Sequence, residues 1–243
     1  MFYDIVTIAR KELKEIFVQR GSLRSGIINL LLIVGIIGIV YPQMMGREWL
    51  TSPVGLVAVI WMPMFLSMGL IADAIAGERE RHTLETLLAS RLSDQAILFG
   101  KISAAVIYCF TITLASLLVG AVTVNVAHPG AGFYNPALFV GALVFALLGA
   151  GLVSGIGVLV SLHASNVRQA YQRMSIGFMV LWLPLLFAPQ LLPKEWQARI
   201  IQWAENADGR QVALIVLIGL LVIDFVLIRV SVARFQRARL VLD

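Results

Sequence analysis

The residues able to do chemistry are few, and their spacing assembles no catalytic centre. His82, His128 and His163 fall in three different loops or loop edges, and no HExxH pair sets two of them on one helix face for zinc. Ser154 precedes Gly155, but Leu152 stands where a GxSG nucleophile turn needs glycine. Gly100-Lys101 resembles the end of a phosphate loop. That motif needs glycine five residues before Gly100 and Ser or Thr after Lys101, where the sequence has Gln95 and Ile102. The lone Cys109 rules out an intrachain disulfide or a multi-cysteine metal site. An enzyme is therefore not expected, and neither a bound cofactor nor a metal. What remains is a run of alternating charge, Glu78-Arg79-Glu80-Arg81, whose chemistry is ion pairing.

Composition says what kind of elements must carry that run. Of 243 residues, 59% are apolar and 14% charged, against about 25% charged in a soluble chain. This excludes a disordered chain, a disulfide scaffold and an ordinary soluble enzyme, and fits a polytopic membrane protein. A membrane helix needs about 20 mostly apolar residues. Six runs qualify: Ser25–Met45, Val54–Ala72, Ile102–Ala127, Ala137–Leu162, Met174–Leu192 and Gln211–Ile228. The net charge of +5 does not argue for nucleic acid, because the basic residues sit in short clusters between apolar runs. Of 19 Lys and Arg, only Arg47, Lys194, Arg199 and Arg210 fall on one side of the six-span map; the other 15 fall opposite. The positive-inside rule then puts both termini in the cytoplasm, as six spans require. Met1–Arg24 is mixed in charge and does not read as a cleavable signal.

Two segments read as interfacial. Phe2, Ile5, Ala9, Leu13, Ile16 and Phe17 form one helical stripe opposite Arg10, Lys11 and Lys14, so residues 1–24 predict a basic amphipathic helix on the cytoplasmic headgroups. Glu12 projects within the apolar stripe. Either it snorkels at the edge, or it has a partner among the basic residues of the next cytoplasmic loop. On the outer side Trp196, Ile200 and Trp203 share one face of a short helix suited to the interface. In the fourth span Gly151 and Gly155 form a small-xxx-small pair, for packing inside one subunit or between subunits. Pro184, Pro189 and Pro193 predict a kinked or broken outer half for the fifth span. Asp224, the only carboxylate inside a span, reads as a terminal residue reaching the interface or a basic neighbour such as Arg229.

Between spans two and three the loop reads DAIAGERERHTLETLLASRLSDQAILFGK (Asp73–Lys101). Leu84, Leu87, Leu88 and Leu92 recur at helical spacing, with Glu85, Ser90 and Arg91 elsewhere on the wheel. Ser93 is a plausible N-cap for the helix entering span three, with Asp94 in its first turn. The alternating charges suit charged partners better than a lipid surface.

This segment is similar to the first cytoplasmic loop of type-2 ABC-transporter permeases, which follows GE-x-E-x-x-TLE-x-LL and ends in GK. The matching residues are Gly77, Glu78, Glu80, Thr83, Leu84, Glu85, Leu87, Leu88, Gly100 and Lys101. The opening IARKELKEIF resembles the family's connecting helix, with Ala9, Arg10, Lys11 and Glu12 at its core, and SNVRQA (Ser165–Ala170) resembles its second cytoplasmic loop. The resemblance implies a permease subunit that pairs with a second copy or a sister permease in the cell membrane. Each permease would dock a separate ATP-binding subunit, which holds the ATP and Mg. Leu84, Leu87 and Leu88 would seat in a cleft on that ATPase, while Glu78, Glu80, Glu85, Arg79 and Arg81 fix its orientation by charge. Glu12 would face Arg79 and Arg81.

The fold class expected is an all-α polytopic membrane protein: six transmembrane helices, an N-terminal interfacial helix, and a coupling helix between spans two and three. Residues 1–243 form one permease domain, with a connecting helix at 1–24, the spans at 25–228 and a cytoplasmic tail at 229–243. The function expected is the pathway subunit of an ATP-driven exporter, since the family mostly exports. An ion-gradient carrier and a non-transporting assembly subunit are the alternatives. No span carries a charge array that would select a metal ion or anionic sugar, and the apolar walls lean toward a drug, peptide or lipid.

Overall fold

The computed structural model describes residues 1–18, 23–206 and 209–235, and those residues form helices joined by short loops with no strand among them. In chain order these are α1 (Phe2–Val18), α2 (Leu23–Gly35), α3 (Glu48–Thr51), α4 (Pro53–Ala72), α5 (Leu84–Ala89), α6 (Asp94–Ala127), α7 (Pro136–Leu162), α8 (Val167–Leu191), α9 (Lys194–Asn206) and α10 (Gly209–Arg234). Two helices run on past their α-helical part through a π turn. In α2, Ile36–Val40 leads into Tyr41–Met45; in α4, Asp73–Gly77 leads into Glu78–Glu80.

Five stretches are long and apolar enough to cross a membrane: Arg24–Met45, Val59–Glu80, Asp94–Ala127, Pro136–Leu162 and Gln211–Arg234. They coincide with five of the six runs expected. The remaining one falls in α8, a helix of 25 residues. Of the kink or break expected in its outer half, the break does not occur, for α8 stays helical to Leu191 and stops before Pro193. Membrane helices tolerate internal proline because neighbours satisfy the freed carbonyls; the side chains of Pro184 and Pro189 lie outside the described residues. At 34 residues α6 is about 51 Å long, more than a hydrocarbon core of about 30 Å.

Packing is set by glycines. On α7, Gly149 and Gly157 face α4, where a Cβ at Gly149 would come 2.5 Å from Met64 Sδ and one at Gly157 would collide with Ile71. Gly151 and Gly155 face α10, and a Cβ on either would lie 3.0 Å from Asp224 Oδ2 or Leu227 Cβ. The small-xxx-small face is thus occupied within the chain. Asp224 turns into the slot beside Gly151 and is 8% exposed, so it does not reach the interface. Arg229 lies instead over the Phe225 ring, at 5.9 Å.

The core divides along the bundle. Ile71, Ile75, Ile97, Leu98 and Val158 gather at the end that carries α1, and Ile37, Trp49, Val59 and Leu117 at the far end. Apolar side chains such as Leu31, Val122, Ile176 and Leu221 cover the outside, as lipid contact requires. At the far end α9 exposes Trp196, with Arg199 5.9 Å above its ring; the side chains of Ile200 and Trp203 lie outside the described residues.

Candidate functional site

The charged run sits where the helix ends of one face of the bundle converge, and α1 completes that face. Ile8 and Ala9 of α1 are buried against the start of α6. Gly100 makes this approach possible: a Cβ there would lie 2.6 Å from both Cβ and Cγ2 of Ile8. The amphipathic helix therefore rests on protein along this face, while Phe2 and Tyr3 remain exposed. The side chain of Phe17, and Arg20 altogether, lie outside the described residues.

The same face of α1 delivers Glu12 to Lys101. Lys101 Nζ donates to Glu12 Oε1 at 2.6 Å and lies 3.6 Å from Glu78 Oε1, with side-chain exposures of 1%, 12% and 6% for Lys101, Glu12 and Glu78. Lys11 Nζ reaches the same Glu78 oxygen at 3.0 Å and Glu15 at 3.4 Å. The Thr83 hydroxyl donates to Glu78 Oε2. Burial opposes the charge on Lys11, but the hydrogen bond and attraction of Glu78, with Glu15 and Glu12 behind, raise its pKa above the ordinary lysine value. Glu12 thus does have a basic partner, but it is neither Arg79 nor Arg81. Those two are turned elsewhere by the geometry of the loop.

The next residues read two helix ends. Arg79 donates from Nη1 to the Leu162 and Ala164 carbonyls at 3.1 and 2.9 Å, and from Nη2 to Leu162 at 3.1 Å. These carbonyls belong to the C-terminal end of α7, where unpaired acceptors and the negative end of the macrodipole favour a cation. Glu80 Oε2 accepts from the Val167 amide at 3.1 Å, at the N-terminus of α8, where an anion is favoured. Arg173 donates to the His163 carbonyl at 2.9 Å in the same turn, within the stretch Ser165–Ala170 and its flanks. Arg81 pairs with Asp73 at 3.2 Å. Burial works against the Arg81 charge, yet Asp73 outweighs it and the guanidinium pKa rises. Gly77 leaves the space this pair needs, since a Cβ there would run into the Asp73 carboxylate.

The chain then reverses. The Thr83 amide donates to the Glu78 carbonyl at 2.9 Å and the His82 amide to that of Arg79 at 3.1 Å, with His82 at φ 55°. This is a Schellman ending with histidine in the left-handed position usually held by glycine. α5 follows as a helix of 6 residues, shorter than the leucine spacing predicts. It stops because Ser90 and Ser93 adopt extended backbone at ψ 164° and 149°, and Ser93 Oγ then accepts from the Ala96 amide at 3.2 Å, capping α6 as expected. Leu92 falls outside the helix and, like Leu87, is half-buried against the core. The side chains of Leu84, Glu85 and Leu88 lie outside the described residues, and Arg10 is exposed.

Each of the alternating charges therefore has its partner outside the run, on α1, α6, the root of α4 or a helix end, and Glu78 and Arg79 are not free to orient an outside partner. Sequence reasoning named Lys101 and Thr83 only as motif positions, without their partners, and gave Asp73 no role. The signal for Lys101 was available: one cation at the head of an apolar run, and one anion, Glu12, inside an apolar stripe. Among the described residues no three His, Cys, Asp or Glu side chains converge as a metal site. The arrangement binds helices together and holds no reactive group.

The family model for the ABC-2 type transporter matches residues 3–205, most of the chain. The chain belongs to the ABC-2 type transporter family. Among curated proteins none matches it. As an ABC-2 chain it is the membrane-spanning permease component of an ABC transporter, which lacks an ATPase site of its own, and such components normally work with an ATP-binding subunit.

Proposed function

We propose that this ABC-2 chain forms the pathway of an ATP-driven exporter in the cell membrane, as one half of a permease dimer with a second copy or a sister chain. α8 is the sixth span, and both termini and the α4–α6 loop lie in the cytoplasm, on the side with the larger share of Lys and Arg. An ATP-binding subunit, carrying ATP and Mg, docks at α5 and the turns beside it. One observation carries this reading. The run Glu78–Arg81 connects the root of α5 to α1, α6, the end of α7 and the start of α8. A push on α5 is delivered to all four. Gly151 and Gly155 act in packing within the subunit, and the exposed face of α5, with Thr86 on it, offers the outward contact.

The test is capture of the ATP-binding subunit by the purified permease. Leu84→Asp should reduce that capture and uncouple ATP hydrolysis from transport, since burying a new charge costs several kcal/mol. Leu87 is unsuited to this test because it also packs on the core. Undiminished capture together with full transport by Leu84→Asp would remove α5 from the mechanism.

A further inference from the structure

Beside the charged loop lies an open cleft of about 470 Å³ between α2, α4 and α6. Its volume is within the range of about 300–1,000 Å³ that small-molecule sites occupy. The chemistry of its walls changes with depth. At the mouth stands the Asp73–Arg81 pair, with Arg81 half-exposed. Leu66 and Leu70 lie further along α4, up to about 10 Å from Asp73 at about 1.5 Å per residue, and form an apolar wall with Ile16 of α1. Asn29 of α2 and Tyr108 of α6 face the same space, and neither has a hydrogen-bond partner among the described residues. The cleft is open rather than enclosed, and α2 beside it exposes Ile27, Ile28 and Leu31 on its other faces.

An acid and a base side by side repel an ion of either sign with one member while attracting it with the other. A headgroup bearing both charges meets both. We propose that the cleft binds a membrane amphiphile with a zwitterionic headgroup, its head on Asp73 and Arg81 and its chain along Leu66, Leu70 and Ile16. Resting on the permease reading above, this names the class of molecule the transporter takes up. Arg81 belongs to the same loop as α5, so the headgroup site moves with the docking segment.

The probe is a single-chain phosphocholine amphiphile carrying a diazirine at the chain end, added to the full-length protein in nanodiscs of anionic phospholipid. The photolabel should fall on the α4 peptide that carries Leu66 and Leu70, about tenfold above the same chain with a maltoside or a phosphate head. Arg81→Gln should weaken labelling about tenfold, the ratio set by one lost charge-assisted hydrogen bond. Because losing the pair can also loosen the loop, Gly69→Leu is the second variant. A Cβ at Gly69 meets only Tyr171 Cε2, at 4.0 Å, so leucine fills the cleft and should abolish labelling. Equal labelling by the three heads overturns the headgroup assignment, and undiminished labelling of Gly69→Leu overturns the site. Labelling requires no ATP-binding subunit, so its failure leaves the permease reading intact, and failure of ATPase capture leaves the cleft intact.

Discussion

Lys101→Met isolates the pair that anchors α1. At 2.6 Å and an effective dielectric of about 20, the attraction between Lys101 and Glu12 is about 6 kcal/mol before desolvation. Desolvating both ions offsets most of it, so the intact pair contributes little net stability. Breaking it from one side is different. Lys101 is the only salt-bridge partner of Glu12 among the described residues, and its loss leaves a largely buried carboxylate uncompensated, at about 3–5 kcal/mol. Glu12→Gln should cost less, about 1–2 kcal/mol, because Lys101 keeps Glu78 at 3.6 Å. Both exceed the ~0–1 kcal/mol of an exposed bridge. The double variant Glu12→Leu with Lys101→Met should recover much of the loss. Thermal unfolding of the detergent-solubilised protein, read by tryptophan emission, should fall by about 6–20 °C for Lys101→Met. A fall under about 2 °C, or a double variant as unstable as the sum of its parts, would refute the buried-pair argument.

Three further outcomes follow from the same geometry. Gly100→Ala should lower stability by about 1–3 kcal/mol in the same unfolding assay, because Ile8 is β-branched and stands 2.6 Å from the new Cβ. Arg79→Gln should speed hydrogen exchange at the α7–α8 turn, with a loss of about 1.5–3 kcal/mol from its carbonyl bonds, whereas unchanged exchange there would show the turn does not depend on it. The folded pKa of Lys11 is raised, so its contribution is fully present below the unfolded value of about 10.4 and disappears as pH rises through the folded one. The stability margin of the wild type over Lys11→Met should accordingly narrow only above about pH 10, as unfolding midpoints measured across that range will show.

The spans were legible because hydrocarbon imposes length and apolarity on a local stretch, and α2, α4, α6, α7 and α10 follow their runs closely. The Ser93 cap was legible for the same reason, its partner being three residues away. The partners of the charged run were not. Glu12 and Lys101 are 89 residues apart, and Arg79 meets carbonyls that carry no sequence signature at all. Alternation tells how many charges point each way only after the helix carrying them has a known register. The glycine pair was half legible: Gly151 and Gly155 announced close packing, but the identity of the neighbour, α10, is a property of the tertiary fold.

That register depends on the π turn at Asp73–Gly77. A π turn holds one residue more than an α turn, so everything after it is rotated by about 100° relative to an unbroken α-helix. The direction in which Glu78, Arg79, Glu80 and Arg81 project is therefore a counting property of the five residues before them. Deletion of Ala74 or Ala76 alone, though it removes no charge and little apolar volume, would swing Glu78 away from Lys101 and Arg79 away from the α7 carbonyls. In this stretch chain length is information: substitutions are absorbed one contact at a time, while an insertion or deletion rewires every ion pair at once.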